Sequence, residues 1–359
     1  MRNIAVAVLL FLLTPLAQAG DAGRTAEDKK TDKAIEQALA FLAQLQDRTD
    51  GAWRTRTNKS PAVTSLAVMA FLSAGHVPGE GKYGPVLEKA IRRVLRFQQT
   101  TGLIANPGES SQEMYDHGIS TLMLAEVAGM TEGALGDEVR NALERAIAVI
   151  LKGQRRGTGP ERGGWRYQVA HVGGSDISVT GWQIMALRAA KNLGCDIPPS
   201  AIENAIDFIR RCRNESNNGY RYSPHDGVTV PCTGTSILAL ELCGKQLHHS
   251  PEVLKAGGFL IREENLPRWG NGHFFYGVYY GSQATFQLGG NYWAVYRPRA
   301  REAILTNQQA NGSWTGGPID ASFGPAYCTS MAVLALTVEY RLLPIYQRSE
   351  ESEPTDATP

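Results

Sequence analysis

Gln308-Gln309-Ala310-Asn311-Gly312-Ser313-Trp314 closes one amphipathic stretch and opens onto an apolar one, and the chain repeats the passage as Asp50-Gly51-Ala52-Trp53, Gly163-Gly164-Trp165-Arg166 and Asn218-Gly219-Tyr220-Arg221. A glycine supplies the left-handed turn that stops a helix, and an aromatic residue follows it. The segment before the first such loop, Ala34-Ile35-Glu36-Gln37-Ala38-Leu39-Ala40-Phe41-Leu42, places apolar residues on one helical face. The segment after it begins near Val63-Thr64-Ser65-Leu66, is built of smaller residues and stops at Gly75.

Further amphipathic stretches run from Ala90 to Phe97, Leu143 to Leu151, Ala201 to Ile209, Val253 to Ile261 and Ala300 to Leu305. Their apolar partners start near His117, Val179, Cys232, Gly281 and Cys328. About six helical hairpins result, spaced by roughly 45 to 65 residues as in helical-repeat arrays. A single hairpin cannot bury its apolar face, so neighbours must stack, and six can close on themselves. The expectation is an all-α (α/α)6 toroid over residues 31–347, with amphipathic helices outside. Ile237-Leu238-Ala239-Leu240 and Met331-Ala332-Val333-Leu334-Ala335-Leu336, apolar on most sides, belong inside.

The loops resemble the QW motif of squalene and oxidosqualene cyclases, found in degenerate form in protein prenyltransferase β subunits; the chain is thus similar to the prenyltransferase/squalene oxidase repeat proteins of the terpene cyclase toroids. The resemblance implies isomerase or transferase chemistry on an isoprenoid, but the residues that carry it are replaced. Squalene cyclases protonate with the middle aspartate of a DxDD motif, whereas Asp176-Ile177-Ser178-Val179-Thr180 has Ser178 there. Of the prenyltransferase zinc set Asp, Cys and His, Asp176 matches the aspartate, Ser178 replaces the cysteine, and Cys328 in Tyr327-Cys328-Thr329 replaces the histidine.

If the inner helices run parallel, their N-termini converge on one mouth, where helix dipoles favour negative charge. Aligning the helix starts puts Asp116 level with Asp176, and Val63, Ile119, Val179, Cys232 and Cys328 level with one another. Asp116-His117 and Asp176 are then candidate acid/base groups, or helix caps with a packed histidine. Cys232 and Cys328 are candidate ligand-contacting thiols, zinc ligands with His117, or small buried groups; without ligand spacing the expected cofactor is none. Arginine follows the loop aromatic at Arg54, Arg166 and Arg221, as a collar for a ligand or as a structural stack. Aromatic residues crowd the fifth unit from Phe274 to Tyr280 and again at Phe286, Tyr292, Trp293 and Tyr296; with Tyr327 they can line a pocket for an apolar or sugar-like ligand, or fill the core.

Thirty-six basic and 35 acidic residues leave a formal charge of +1, so no global field favours nucleic acid. Met1-Arg2-Asn3, the apolar run Ile4 to Leu16 and Ala17-Gln18-Ala19 read as a secretory signal cleaved after Ala19. The expected protein is secreted or periplasmic, with no membrane span once the signal is removed. Gly20 to Lys30 reads as a polar lead-in, and residues 348–359 as an acidic disordered tail. Five cysteines lack CxxC spacing, which permits one or two bridges after export without requiring them. The reading that combines these features is a toroid binding a ligand or a protein partner in its central cavity. An enzyme using Asp116, His117 and Asp176 on an isoprenoid or carbohydrate, and a module presenting its surface to another protein, are the rivals.

Overall fold

The computed structural model describes residues 25–106, 112–170, 173–244 and 246–347. The signal segment and the acidic tail lie outside them. Six amphipathic helices form an outer layer: α1 (Ala26–Leu45), α3 (Gly84–Phe97), α5 (Gly133–Gly153), α7 (Pro199–Arg211), α9 (Pro251–Leu260) and α11 (Gly290–Leu305). Each is followed by an inner helix: α2 (Pro61–Ser73), α4 (Glu113–Ala128), α6 (Ile177–Asn192), α8 (Val230–Cys243), α10 (Phe274–Leu288) and α13 (Pro325–Leu336), the last preceded by the short α12 (Pro318–Ser322). Consecutive inner helices pack on one another, and α13 packs back on α2, so the hairpins form a closed (α/α)6 toroid. No described helix is long and apolar enough to cross a membrane.

Burial follows the sequence pattern. In α3 the buried residues Leu87, Ala90, Ile91, Val94 and Phe97 make one stripe, whereas in α2 every residue but Ala62 is buried, because an inner helix touches the outer layer and two inner neighbours. Small residues let the inner helices approach. A Cβ added at Gly181 would sit 2.2 Å from Thr235 Cγ2, and Ser65 Oγ reaches Ser120 Oγ at 3.0 Å.

The loop motif works as a clamp. Gln46, Gln98, Gln154 and Gln308 each donate from Nε2 to the carbonyl of the loop glycine (Gly51, Gly102, Gly163, Gly312) and to a carbonyl of the next outer helix (Val86, Ala142, Ala201, Ala34). Trp53, Trp165 and Trp314 donate from Nε1 to Leu42, Ile150 and Ile304 carbonyls at 2.7–2.9 Å. The Gln98 loop, ending in Gly102-Leu103-Ile104, is a further copy in which Ile104 replaces the aromatic, and for that reason escaped the sequence pattern.

Closure has its own contacts. Arg301 bonds Asp28 of α1 at 2.8 Å and Glu339 beyond α13 at 2.5 Å, and Arg297 bonds the same two carboxylates. Beyond α13, Leu343, Ile345 and Tyr346 are buried. The Ile345 N–H donates to the Glu126 carboxyl at 3.2 Å, and Tyr346 OH pairs with Tyr279 OH, so this segment seals the mouth where the inner helices end.

Three boundaries differ from the sequence expectation. Ala26–Lys30, read as lead-in, already belongs to α1, started by a capping box between Thr25 and Asp28. The fifth inner helix starts at Phe274 rather than near Gly281, because Asp320 Oδ2 accepts from the Phe274 N–H at 2.9 Å and caps it there. The sixth outer helix starts at Gly290 rather than Ala300 and carries Tyr292, Trp293 and Tyr296, which therefore lie on the outer layer and not in a fifth-unit pocket. All five cysteines are free thiols.

Candidate functional site

The start of five of the six inner helices, all but α10, is fixed by a recurring pin. The backbone N–H of the loop residue donates to a side chain in the first turns of the helix: Trp53 to Thr64 Oγ1, Trp165 to Thr180 Oγ1, Tyr220 to Thr233 Oγ1 and Trp314 to Thr329 Oγ1, at 2.9–3.2 Å. In the second hairpin Ile104 N–H donates instead to His117 Nδ1 at 3.1 Å. His117 Nε2 carries the proton and donates to the Ala146 carbonyl of α5 at 3.0 Å. The imidazole is wholly buried, and burial holds its pKa down to about 4. Both nitrogens are spent on backbone and face the outer layer, so His117 is a neutral structural pin and not an acid/base group aimed into the ring.

Counting from the pins corrects the register. Asp116, one residue before its pin, is level with Val63, Val179, Cys232 and Cys328, while Glu113 is level with Asp176, Ser60 and Thr229, four residues before theirs. The expected pairing of Asp116 with Asp176 is therefore shifted by three residues, as is Ile119. Asp116 Oδ1 accepts from Ala62 N–H at 3.0 Å and Ser60 Oγ at 3.2 Å, capping the neighbouring helix α2. Asp176 caps its own α6 through Val179 N–H at 2.9 Å. Anionic caps at helix N-termini gain from both the open N–H groups and the dipole.

Asp176 does more than cap. Oδ1 also accepts from Ser178 Oγ at 2.5 Å, and Oδ2 from Arg166 Nη1 at 3.0 Å. Ser178 Oγ in turn meets Tyr115 OH at 2.5 Å. Arg166 Nη1 also donates to Tyr222 OH at 3.2 Å, and Tyr222 OH pairs with Tyr167 OH. The guanidinium lies 4.3 Å from the Tyr167 ring centre and 5.4 Å from that of Tyr222, while Tyr115 stacks on Tyr167 at 5.9 Å. Tyr167, Tyr222, Tyr115 and Arg166 thus form one bonded wall around the buried Asp176, at the mouth where α4 and α6 begin.

The electrostatics follow from burial. Asp176 is fully buried; desolvation pushes its pKa up, against the pull of Ser178, Val179 N–H and Arg166. The Arg166 side chain is 29% exposed, and its charge is compensated by Asp176. Burial likewise raises Tyr115 and Tyr222, so both keep their hydroxyl protons at neutral pH.

Arg221 donates to the Arg213 carbonyl at 2.8 Å, a loop brace rather than part of a collar. Cys232 and Cys328 are buried, and desolvation raises both thiols to about 12. Cys328 Sγ bonds the Asp320 carbonyl at 3.5 Å. Cys232, Cys328 and His117 are not gathered at ligating distance among the described residues. Tyr327 is half-buried beside Phe323. Tyr280 lies in the ring centre, edge-on to Trp182, Tyr276 and Tyr279. With Trp182 and Tyr279 it forms a buried cluster of aromatic rings on the inner helices α6 and α10. Tyr280 OH is buried without a hydrogen-bond partner among the described residues. Tyr115, Tyr167 and Tyr222 were missed by sequence reading; Tyr115, two residues before the His117 pin where Ser178 precedes Thr180, was findable once the pins were known.

No sequence-family profile matches the chain, and no curated protein matches it. Solved structures do. An α-1,6-mannanase of family GH76 from Salegentibacter sp. HEL1_6 is 10% identical with a TM-score of 0.65 over 87% of this chain and 99% of that one. The GH76 α-mannanase of Bacteroides thetaiotaomicron is 12% identical, TM-score 0.59, over 86% and 94%. The type II terpene cyclase MstE from Scytonema is 15% identical, TM-score 0.57, over 88% and 99%. At such identities the likeness is one of fold, and all are α/α toroids.

Proposed function

We propose that this protein is an exported toroid that binds a neutral, polyhydroxylated ligand, such as an oligosaccharide, at the mouth walled by Tyr115, Tyr167, Tyr222 and Arg166. The observation that carries the reading is the internally compensated Arg166–Asp176 pair, set among half-buried tyrosine rings. Tyrosine faces suit the C–H faces of a sugar ring, and guanidinium and phenol donors suit its hydroxyls. Among the described residues Arg166 bonds through Nη1 alone, which leaves Nε and Nη2 as donors for a ligand. An apolar isoprenoid fits less well, since a hydrocarbon chain would leave the guanidinium and phenol donors of this wall without partners. Cyclase and prenyltransferase chemistry is not part of the reading, because Ser178 and Cys328 stand where those reactions need an acid and a ligand.

The GH76 mannanase was also studied as an inactive variant, altered at two consecutive aspartates, in complex with α-1,6-mannotriose. No two aspartates are consecutive in the present sequence. Glycoside hydrolysis uses two carboxyl groups flanking the bond. Asp116 is engaged as a cap, and Asp176 is buried behind Arg166. A carbohydrate-active enzyme is the second reading, favoured by the raised pKa of Asp176 within the cleft.

The test is calorimetric titration of the purified protein with α-1,6-mannotriose and a panel of neutral plant and microbial oligosaccharides, with product analysis of the same mixtures. Binding to at least one sugar, weakened tenfold or more by Tyr167→Ala, is expected, with no cleavage. No binding across the panel, or binding indifferent to Tyr167→Ala, overturns the proposal; cleavage that Asp176→Asn abolishes establishes the enzyme.

A further inference from the structure

At the opposite rim, Glu241 in the last turn of α8 meets His248 and His249 of the loop leading to α9. We propose that these three residues form a zinc-binding site, independent of the tyrosine-walled mouth. Glu241 Oε2 lies 3.5 Å from His248 Nε2 and 3.6 Å from His249 Nε2, and one donor atom of each residue falls within 4.8 Å of the other two. A tetrahedral zinc with bonds of about 2.0–2.1 Å separates its ligand atoms by roughly 3.4 Å, so an ion fits between the carboxylate and the imidazoles with small side-chain adjustments. Among the described residues this is the one grouping of three His, Cys, Asp or Glu donors at ligating distance.

The carboxylate is held for the purpose by its other oxygen. Glu241 is buried, and Oε1 accepts from the His249 backbone N–H at 2.7 Å. That bond fixes the loop while Oε2 points at both imidazoles, the outer-contact arrangement that orients metal ligands. His249 has φ +52°, a left-handed backbone that a non-glycine residue rarely adopts; it turns the ring back toward α8. The two imidazole centres are 4.1 Å apart, so both rings lie on one side of the carboxylate.

The donor set selects the ion. Two neutral imidazoles and one carboxylate suit zinc better than magnesium or calcium, which prefer oxygen. His248 and His249 side chains are about 40% exposed, so water reaches the site and a fourth position is open. Each ring coordinates through Nε2 as the neutral tautomer that keeps its one proton on Nδ1, so the contact of His249 Nε2 with the Gln287 carbonyl at 3.2 Å gives way to the metal.

The experiment uses the chelator-treated, full mature chain, titrated with Zn²⁺ against a chromophoric competitor and, separately, with Co²⁺ followed by visible absorption. Expected are one Zn²⁺ per chain and a tetrahedral Co²⁺ spectrum without thiolate charge-transfer bands. Affinity should fall at least tenfold in both His248→Ala and His249→Asn. Asparagine is chosen at 249 because it tolerates the left-handed backbone, and circular dichroism establishes that both variants are folded. Absence of stoichiometric uptake, uptake unchanged in both variants, or a thiolate-to-cobalt band showing that the ion sits on cysteine each overturns the assignment.

Discussion

Replacing His117 by threonine, the residue at the same place in four sister hairpins, separates a structural imidazole from a catalytic one. In the folded chain its pKa is about 4, against an ordinary 6.5. A histidine with a depressed folded pKa binds its proton more readily when unfolded, so its contribution is present above pH 6.5 and is lost as pH falls toward 4. Between about pH 7.5 and pH 5 the linkage relation gives a loss of about 2 kcal/mol from this one side chain. Glu126 acts in the opposite sense over an overlapping window, since burial lifts it to about 8, so the wild-type profile alone is not diagnostic. The informative quantity is the difference between wild type and His117→Thr in urea unfolding at the two pH values. Threonine can still accept from Ile104 N–H but leaves the Ala146 carbonyl without its imidazole donor. A cost of about 1–3 kcal/mol is expected near pH 7.5, shrinking by about 2 kcal/mol near pH 5. If the difference is the same at both pH values, the imidazole is not buried and neutral, and its role as a pin fails.

Gly181→Ala drives a methyl to within 2.2 Å of Thr235 Cγ2, an overpacking worth about 1–3 kcal/mol. Thr235→Ser removes that Cγ2 while keeping the hydroxyl that bonds Tyr276, so the double variant should recover most of the loss in thermal unfolding; equal destabilisation of single and double variants contradicts the packing. Glu126→Gln removes a carboxyl whose raised pKa costs stability as pH climbs from 4.5 through 8, while its amide oxygen can still accept from Ile345 N–H. The variant should be on the order of 2–4 kcal/mol more stable than wild type near pH 7.5 and little changed near pH 4, read from denaturant midpoints; a gain of the same size at both pH values counts against the buried carboxyl.

The repeat was legible because local chemistry encodes it. A loop glycine, an aromatic after it, an amphipathic helix before and a small-residue helix behind are each set within about ten residues by turn and burial preferences, and they recur often enough to specify hairpins that close into a ring. What the linear pattern could not supply was register between neighbours. His117 stands where other hairpins carry threonine, so aligning acidic residues by eye put Asp116 opposite Asp176, whereas hydrogen bonding places it one turn further along α4, capping α2. The clamp at Gln98 was hidden by Ile104, and the start of α10 depends on Asp320, some 46 residues away.

Helix type and order are properties of short stretches, so the sequence by itself determined the toroid. Which groups meet is a property of packing between distant segments, and only the tertiary structure decided that Tyr115, Tyr167 and Tyr222 surround Arg166 and Asp176 and that Leu343–Tyr346 closes the far mouth. Each of these gatherings depends on side chains crossing from one hairpin or loop to another, and no periodicity along the chain records such a crossing.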